Sequence, residues 1–485
     1  MKIQKAVWFI ALTGIISWPL AINGQEAFWK AKNDAGWKAA RKNDYSEAVK
    51  LLRQAIEEAE KLGATDLRLA LSQANLSWVY NRQGEHAQAD ELARNCQEIL
   101  EKNAPAKGFI PARTLNTLAL IHQDRQEFSK SESLYRGALA AALEKEKNIG
   151  EDHPVVAQIQ SNLAKLYDLQ GRFREAGALF RHSLKVVEKS KLGPEHPRVA
   201  LCLETLARHA QACGDFTEAE TSLLRALEIR KKGPSKDQMP LSRDLNDLAL
   251  LYLGAGKRDE AEPLLQEALS IGEKSFQQQP LEMALTLHNL ATLRYQQGQY
   301  EKADSLFQRA LDLRERSLGE NDLRVAATCR NWAKVYQAQG KWSEAEPLFQ
   351  RSRTIQEALL GKDHLDLTAN LDSLAAIHKK QNHYAEAEQF SLRALAIREN
   401  ALGAEDRAVA ASLHNLANLY KEEKKFPQAA PLYERSLAIK EKAGADHAGL
   451  AKILEDYADL LRRTNQPEQA DQLDNRARFL REQKG

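Results

Sequence analysis

The sequence predicts an all-α protein, a solenoid of about eleven helix-turn-helix units, and three observations carry that prediction. The 485 residues include 14 Pro and 24 Gly, and Ala, Leu, Glu, Lys, Arg and Gln stand in the balance typical of helices. A Gly-x-aromatic-x-x-Ala turn recurs at Gly171–Ala176, Gly214–Ala219, Gly298–Ala303 and Gly340–Ala345. Aligned on its last residue, the anchors fall at Ala48, Ala89, Ser131, Ala176, Ala219, Ala261, Ala303, Ala345, Ala387, Ala429 and Ala470, 41 to 45 residues apart. A period of this size marks stacked supersecondary units, so the roughly three domains suggested by length become one array.

The first element stands apart. Lys2 and Lys5 precede the uncharged run Ala6–Ala21, a basic n-region followed by an apolar h-region. Residues 1–24 are therefore predicted to be a signal peptide cut after Gly24. An uncleaved anchor is the alternative, because about 17 apolar residues is the lower limit for a bilayer span. Either way residues 25–485 are exported.

Each unit then runs first helix, turn, second helix. Twelve residues before the anchor the first helix always carries a small residue, as at Gly36, Ser77, Ala291 and Ala417. Seven after the anchor the second helix does too, as at Ala55, Cys96, Ala310 and Ser436. Small residues at matching heights let antiparallel helices approach, while Leu and aromatic side chains fill the gaps. Five before the anchor, Gly or Asn supplies the left-handed conformation that ends a helix, except at Gln126 and Lys424. Pro263, Pro347 and Pro431 are assigned to the first turn of the second helix, where N–H groups lack partners. Residues 281–442 hold the cleanest repeats. In residues 453–485, Asp474 and Arg478 replace core residues, the mark of a polar C-terminal cap.

This pattern resembles the tetratricopeptide repeat. The joints Leu192-Gly-Pro-Glu-His196, Leu318-Gly-Glu-Asn-Asp322, Leu360-Gly-Lys-Asp-His364 and Leu402-Gly-Ala-Glu-Asp406 look like those of its kinesin light chain subgroup, whose repeat is longer than the usual 34 residues. The resemblance implies a right-handed α-solenoid with a concave groove that binds an extended peptide. The heptad region that joins that subgroup to its motor is missing, so a motor-adaptor role is not carried over.

Charge narrows the function. Lys+Arg number 69 and Asp+Glu 67; without Lys2 and Lys5 the body has 67 of each, so no basic field points to nucleic acid. A mean hydropathy of −0.54 excludes a polytopic membrane protein. No membrane partner is expected unless the N-terminal segment is retained. Fourteen residues before each anchor lies a small polar column that includes Asn75, Asn162, Asp247, Asn289, Asn331 and Asn415. One reading makes it a ladder of amides gripping a peptide main chain; the other has it bonding to neighbouring helices. Nearby groove positions tend basic, at Arg243, His288, Arg330, Lys334, Lys379 and His414, which suits an acidic peptide.

Catalytic chemistry is not expected. The four cysteines, Cys96, Cys202, Cys213 and Cys329, lack C-x-x-C spacing and are assigned as small buried residues. His153, His196, His364 and His447 recur at the joints, where a helix start explains them better than metal ligation. No cofactor, metal site or catalytic constellation is expected. The predicted function is an exported, non-enzymatic protein-interaction scaffold binding an extended segment in its groove. The alternatives are a membrane-anchored envelope assembly subunit using its convex face or edges, and a regulator of an envelope enzyme.

Overall fold

A computed structural model describes residues 24–104, 108–143, 151–233, 238–274, 280–444 and 447–482. The signal-peptide expectation lies outside them, Gly24 excepted. The described residues form twenty-two α-helices in eleven antiparallel hairpins, divided between two compact units, Met1–Ser235 and Lys236–Gly485. Each unit is an all-α solenoid in which every hairpin packs on the next.

In the first unit the hairpins are α1 Gly24–Arg41 with α2 Tyr45–Glu60, α3 Leu67–Gln83 with α4 His86–Lys102, and α5 Phe109–Asp124 with α6 Phe128–Leu143. Then come α7 Pro154–Leu169 with α8 Phe173–Lys189, and α9 Pro197–Ala212 with α10 Phe216–Lys232. The second unit begins with α11 Met239–Gly254 and α12 Arg258–Lys274, α13 Pro280–Gln296 and α14 Tyr300–Leu318, and α15 Leu323–Ala338 and α16 Trp342–Leu360. It ends with α17 Thr368–Lys380 and α18 Tyr384–Leu402, α19 Arg407–Glu422 and α20 Phe426–Lys442, and α21 His447–Arg463 and α22 Pro467–Glu482.

The small-residue columns are where the helices meet. Gly36 shows how closely: a Cβ there would lie 2.7 Å from Leu52 Cγ. At Ser77, and at the anchor Ser131, the hydroxyl donates across the hairpin, Ser77 Oγ to the Ala89 carbonyl at 2.6 Å and Ser131 Oγ to that of Ala119 at 2.8 Å. These buried polar atoms are thereby satisfied. Four residues after the anchor, Leu52, Tyr135, Phe307, Phe349 and Tyr433 are fully buried.

The joints cap the first helices. Asp66, Asp322 and Asp406 accept N–H bonds as N-caps. His153, His196 and His364 do the same through Nδ1, 3.1–3.2 Å from the N–H two residues on, so the joint histidines stand at helix starts.

The turn column imposes its conformation on every occupant. Gln126 and Lys424, the two exceptions to Gly and Asn, still sit at φ 61° and 63°. A side chain is strained there, so Lys424→Gly should stabilise the protein by between about 0.5 and 1 kcal/mol. The urea midpoint measures this, and an unchanged or lower midpoint would contradict it.

Two expectations are corrected. Pro263, Pro347 and Pro431 lie inside α12, α16 and α20, at the sixth residue of each and thus in the second turn. These helices start at the turn residue three before the anchor, earlier than the prolines alone suggest, so each proline removes one intrahelical bond. Of the cysteines, Cys96 and Cys329 are buried, but Cys202 is half-buried and Cys213 exposed, because Cys213 lies just past the end of α9 as its C-cap.

Candidate peptide-binding face

The candidate residues all lie on first helices, Asn75 and Asn162 in the first unit and the other ten in the second. Their small polar column does not stand free. Asn75 Nδ2 donates to Asn33 Oδ1 at 2.9 Å, Asn162 Nδ2 to Asn116 Oδ1 at 3.0 Å, and Asn289 Nδ2 to Asn246 Oδ1 at 3.0 Å. In each case the residue two before the small position meets the residue three before it on the preceding first helix. Asn331 meets His288 and Asp456 meets His414 in the same register, at 3.0 and 2.9 Å. The ladder therefore fastens consecutive first helices together.

This corrects the assignment of Asn75, Asn162 and Asn289 as peptide contacts. They are 1%, 6% and 2% exposed, and removing a buried amide would leave its partner unsatisfied. Asn415 is exposed, and Asn331 and Asp247 are half-buried. The partner residues Asn33, Asn116 and Asn246 were missed, although a second polar column three before the small residue is readable in the sequence.

The basic candidates differ in how they are neutralised. Arg243 is ion-paired with Glu282, and Lys379 Nζ lies 3.0 Å from Glu422 Oε1. His414 Nε2 lies 2.9 Å from Asp456 Oδ2, whose carboxyl is held well below its usual range: burial opposes this, but His414, Lys421 and Lys452 outweigh it.

Around α13 and α15 the balance is different. Arg314, on α14 and 5% exposed, donates from Nη1 to the Arg324 carbonyl at 2.9 Å, to Thr328 Oγ1 at 2.5 Å and to His288 Nδ1 at 3.3 Å. Burial, with the Arg314 and Arg330 charges, pushes His288 down to about 3, so its ring is neutral. Nδ1 faces the Arg314 guanidinium, and Nε2 lies 3.0 Å from Asn331 Nδ2. Arg330 is half-buried, and its Nε is enclosed without a partner. Lys334, four residues on, reaches the surface; partial burial and the Arg330 charge lower its pKa. The structure thus gathers His288, Arg330, Asn331 and Lys334 into one cationic patch.

Exposed small residues continue this face. Ala369 on α17 and Ala411 on α19 occupy the position six before the small residue, seven from the Lys334 column, and residues seven apart share one side of a helix. No group of three or more His, Cys, Asp or Glu among the described residues is placed to hold a metal ion. No described helix is long and apolar enough to cross a membrane.

Seven matches to the tetratricopeptide repeat cover residues 111–274 and 282–483, and another covers 70–95. No curated protein matches. Among solved structures, the chain is similar to nearly identical TPR-like repeats of a putative kinesin light chain from Podosopora anserina. The identity is 25% and the TM-score 0.39, over 44% of this chain and 100% of that one. It is similar to BtubC (BKLC) from P. vanneervenii at 21% identity and TM-score 0.41, over 45% and 88% of the two chains. Aspartyl phosphate phosphatase F from Bacillus subtilis matches at 13% identity and TM-score 0.50, over 80% and 97%, a likeness of fold alone. With its repeats matched over most of its length, the chain belongs to the tetratricopeptide repeat family, generally a family of non-enzymatic scaffolds for protein–protein interaction.

Proposed function

We propose that this is an exported scaffold that holds an extended, acidic protein segment along the first helices of the Lys236–Gly485 unit. The observation that carries the reading is the open strip formed by Lys334, Ala369, Ala411 and Asn415, with small side chains beside a cationic patch. Small residues admit a main chain, and unneutralised cations attract carboxylates. Export rests on Lys2, Lys5 and the uncharged run after them.

The test places a photo-crosslinking amino acid at Ala369 and, as a control, at exposed Leu392 on α18. Crosslinks to a partner in the envelope fraction should form from Ala369 and fall about tenfold with Ala411→Arg, a loss of about 1.4 kcal/mol in binding. Equal yields from both positions, or no effect of Ala411→Arg in a folded protein, would remove the face from consideration. Mass measurement of the mature N-terminus tests export: a chain beginning near Gln25 supports a cleaved signal. A chain retaining Ala6–Ala21 would favour the anchored envelope subunit.

A further inference from the structure

The second helix of several repeats sends one long side chain, eleven residues after the anchor, to the first-helix residue three before the small position. In α9–α10 this pair is Arg230 with Glu204. In α17–α18 it is Arg398 with Asp372, Nη2 to Oδ2 at 2.5 Å. Both are neutral acid–base pairs. In α13–α14 the corresponding pair is Arg314 with His288, and the acid is replaced by a ring that carries no charge.

The next repeat adds charge instead of removing it. Arg330 takes the acid's position on α15, opposite Gln356, whose amide is committed to Asn370 and the Asp366 carbonyl. Lys334 stands one turn further along. The carboxylate acting on Arg314 is that of Asp322, which is locked to Arg324 by two bonds of 2.9 Å. Among the described residues, Arg314, Arg330 and Lys334 thus have no ion-paired acid, Arg330 acts on both His288 and Lys334, and its enclosed Nε has no acceptor. A buried guanidinium atom without an acceptor is costly, and unpaired cationic charge at this seam would be stabilised by an anion that reaches its exposed side.

We propose that α13–α16 form a binding site for a phosphate-type dianion, seated against Arg330, Lys334 and Asn331 in the field of buried Arg314. A single carboxylate would leave two of the three charges uncompensated. A phosphoryl group brings up to two negative charges and three acceptor oxygens, enough to engage a guanidinium fork and an ammonium together. The anion is either free inorganic phosphate or a phosphomonoester on a protein segment. The second source rests on the peptide-binding reading above; the first does not.

Titration calorimetry at pH 8 and constant ionic strength, with inorganic phosphate against chloride, gives the first arm. A neutral peptide carrying phosphoserine, against the same peptide carrying Glu, gives the second. Saturable binding of phosphate supports the free ion, and tighter binding of the phosphoserine peptide than of either control supports the segment-borne group. Arg330→Gln and Lys334→Gln should each weaken binding about tenfold or more. His288→Glu is the decisive variant, because it rebuilds the Arg230–Glu204 pair inside this repeat. It should abolish anion binding while leaving the helical circular dichroism unchanged and the melting temperature no lower. Failure of both probes to bind above chloride would overturn the site, as would undiminished binding by folded His288→Glu. Crosslinking from Ala369 would be untouched by that failure, so the two readings fall separately.

Discussion

Phe307→Ala is expected to cost about 3 to 5 kcal/mol. Phe307 is fully buried on α14, four residues after the Ala303 anchor, and packs in one cluster with Ala291 and Val335 against Tyr295, Tyr300 and Trp332. Its ring also meets that of His288 edge-on, with centroids 5.3 Å apart and planes at 79°. Truncation removes contacts to three successive helices, α13, α14 and α15, and small Ala291 and Ala303 cannot close the space. Because each repeat is supported only by its neighbours, the damage should be local. Hydrogen exchange should speed up in α13–α16 and hardly change in α19–α22. Phe307→Leu, which keeps most of the volume, should cost no more than about 1.5 kcal/mol. A loss below about 1 kcal/mol for Phe307→Ala in urea unfolding would show that the repeat collapses around the gap.

The same residue shows which parts of the fold were legible. Periodicity locates anchors, turns and small-residue columns because each requires a particular residue type: no side chain larger than Gly36 fits against Leu52. The direction of the first-helix columns was harder to read. Successive helix residues point about 100° apart, so a one-position error moves a column from an open face into the seam between helices. The register of Asn289 fits either an open face or the seam, and the amide at Asn246, its partner across the seam, decides for the seam. The cationic patch was only half legible. Arg330 and Lys334 stand out by their four-residue spacing, whereas Arg314 approaches from the second helix and becomes visible only when the hairpin closes.

Arg230→Met should cost about 3 to 5 kcal/mol, whereas the double change Arg230→Met with Glu204→Leu should recover most of the loss. The side chains of Arg230 and Glu204 are 13% and 6% exposed. Taking two charges out of water is expensive, and their attraction roughly cancels that expense, so the pair itself adds little net stability. Removing Arg230 leaves Glu204 buried and uncompensated, whereas removing both leaves an apolar contact between α9 and α10. Thermal unfolding of the two single variants and the double variant gives the coupling as a cycle. A double variant as unstable as Arg230→Met would mean that the packing of the arginine stem, and not its charge, joins the hairpin. The inter-helix position thus penalises an unmatched charge wherever it occurs along the array, including at Arg314, which meets a neutral imidazole where Arg230 meets a carboxylate.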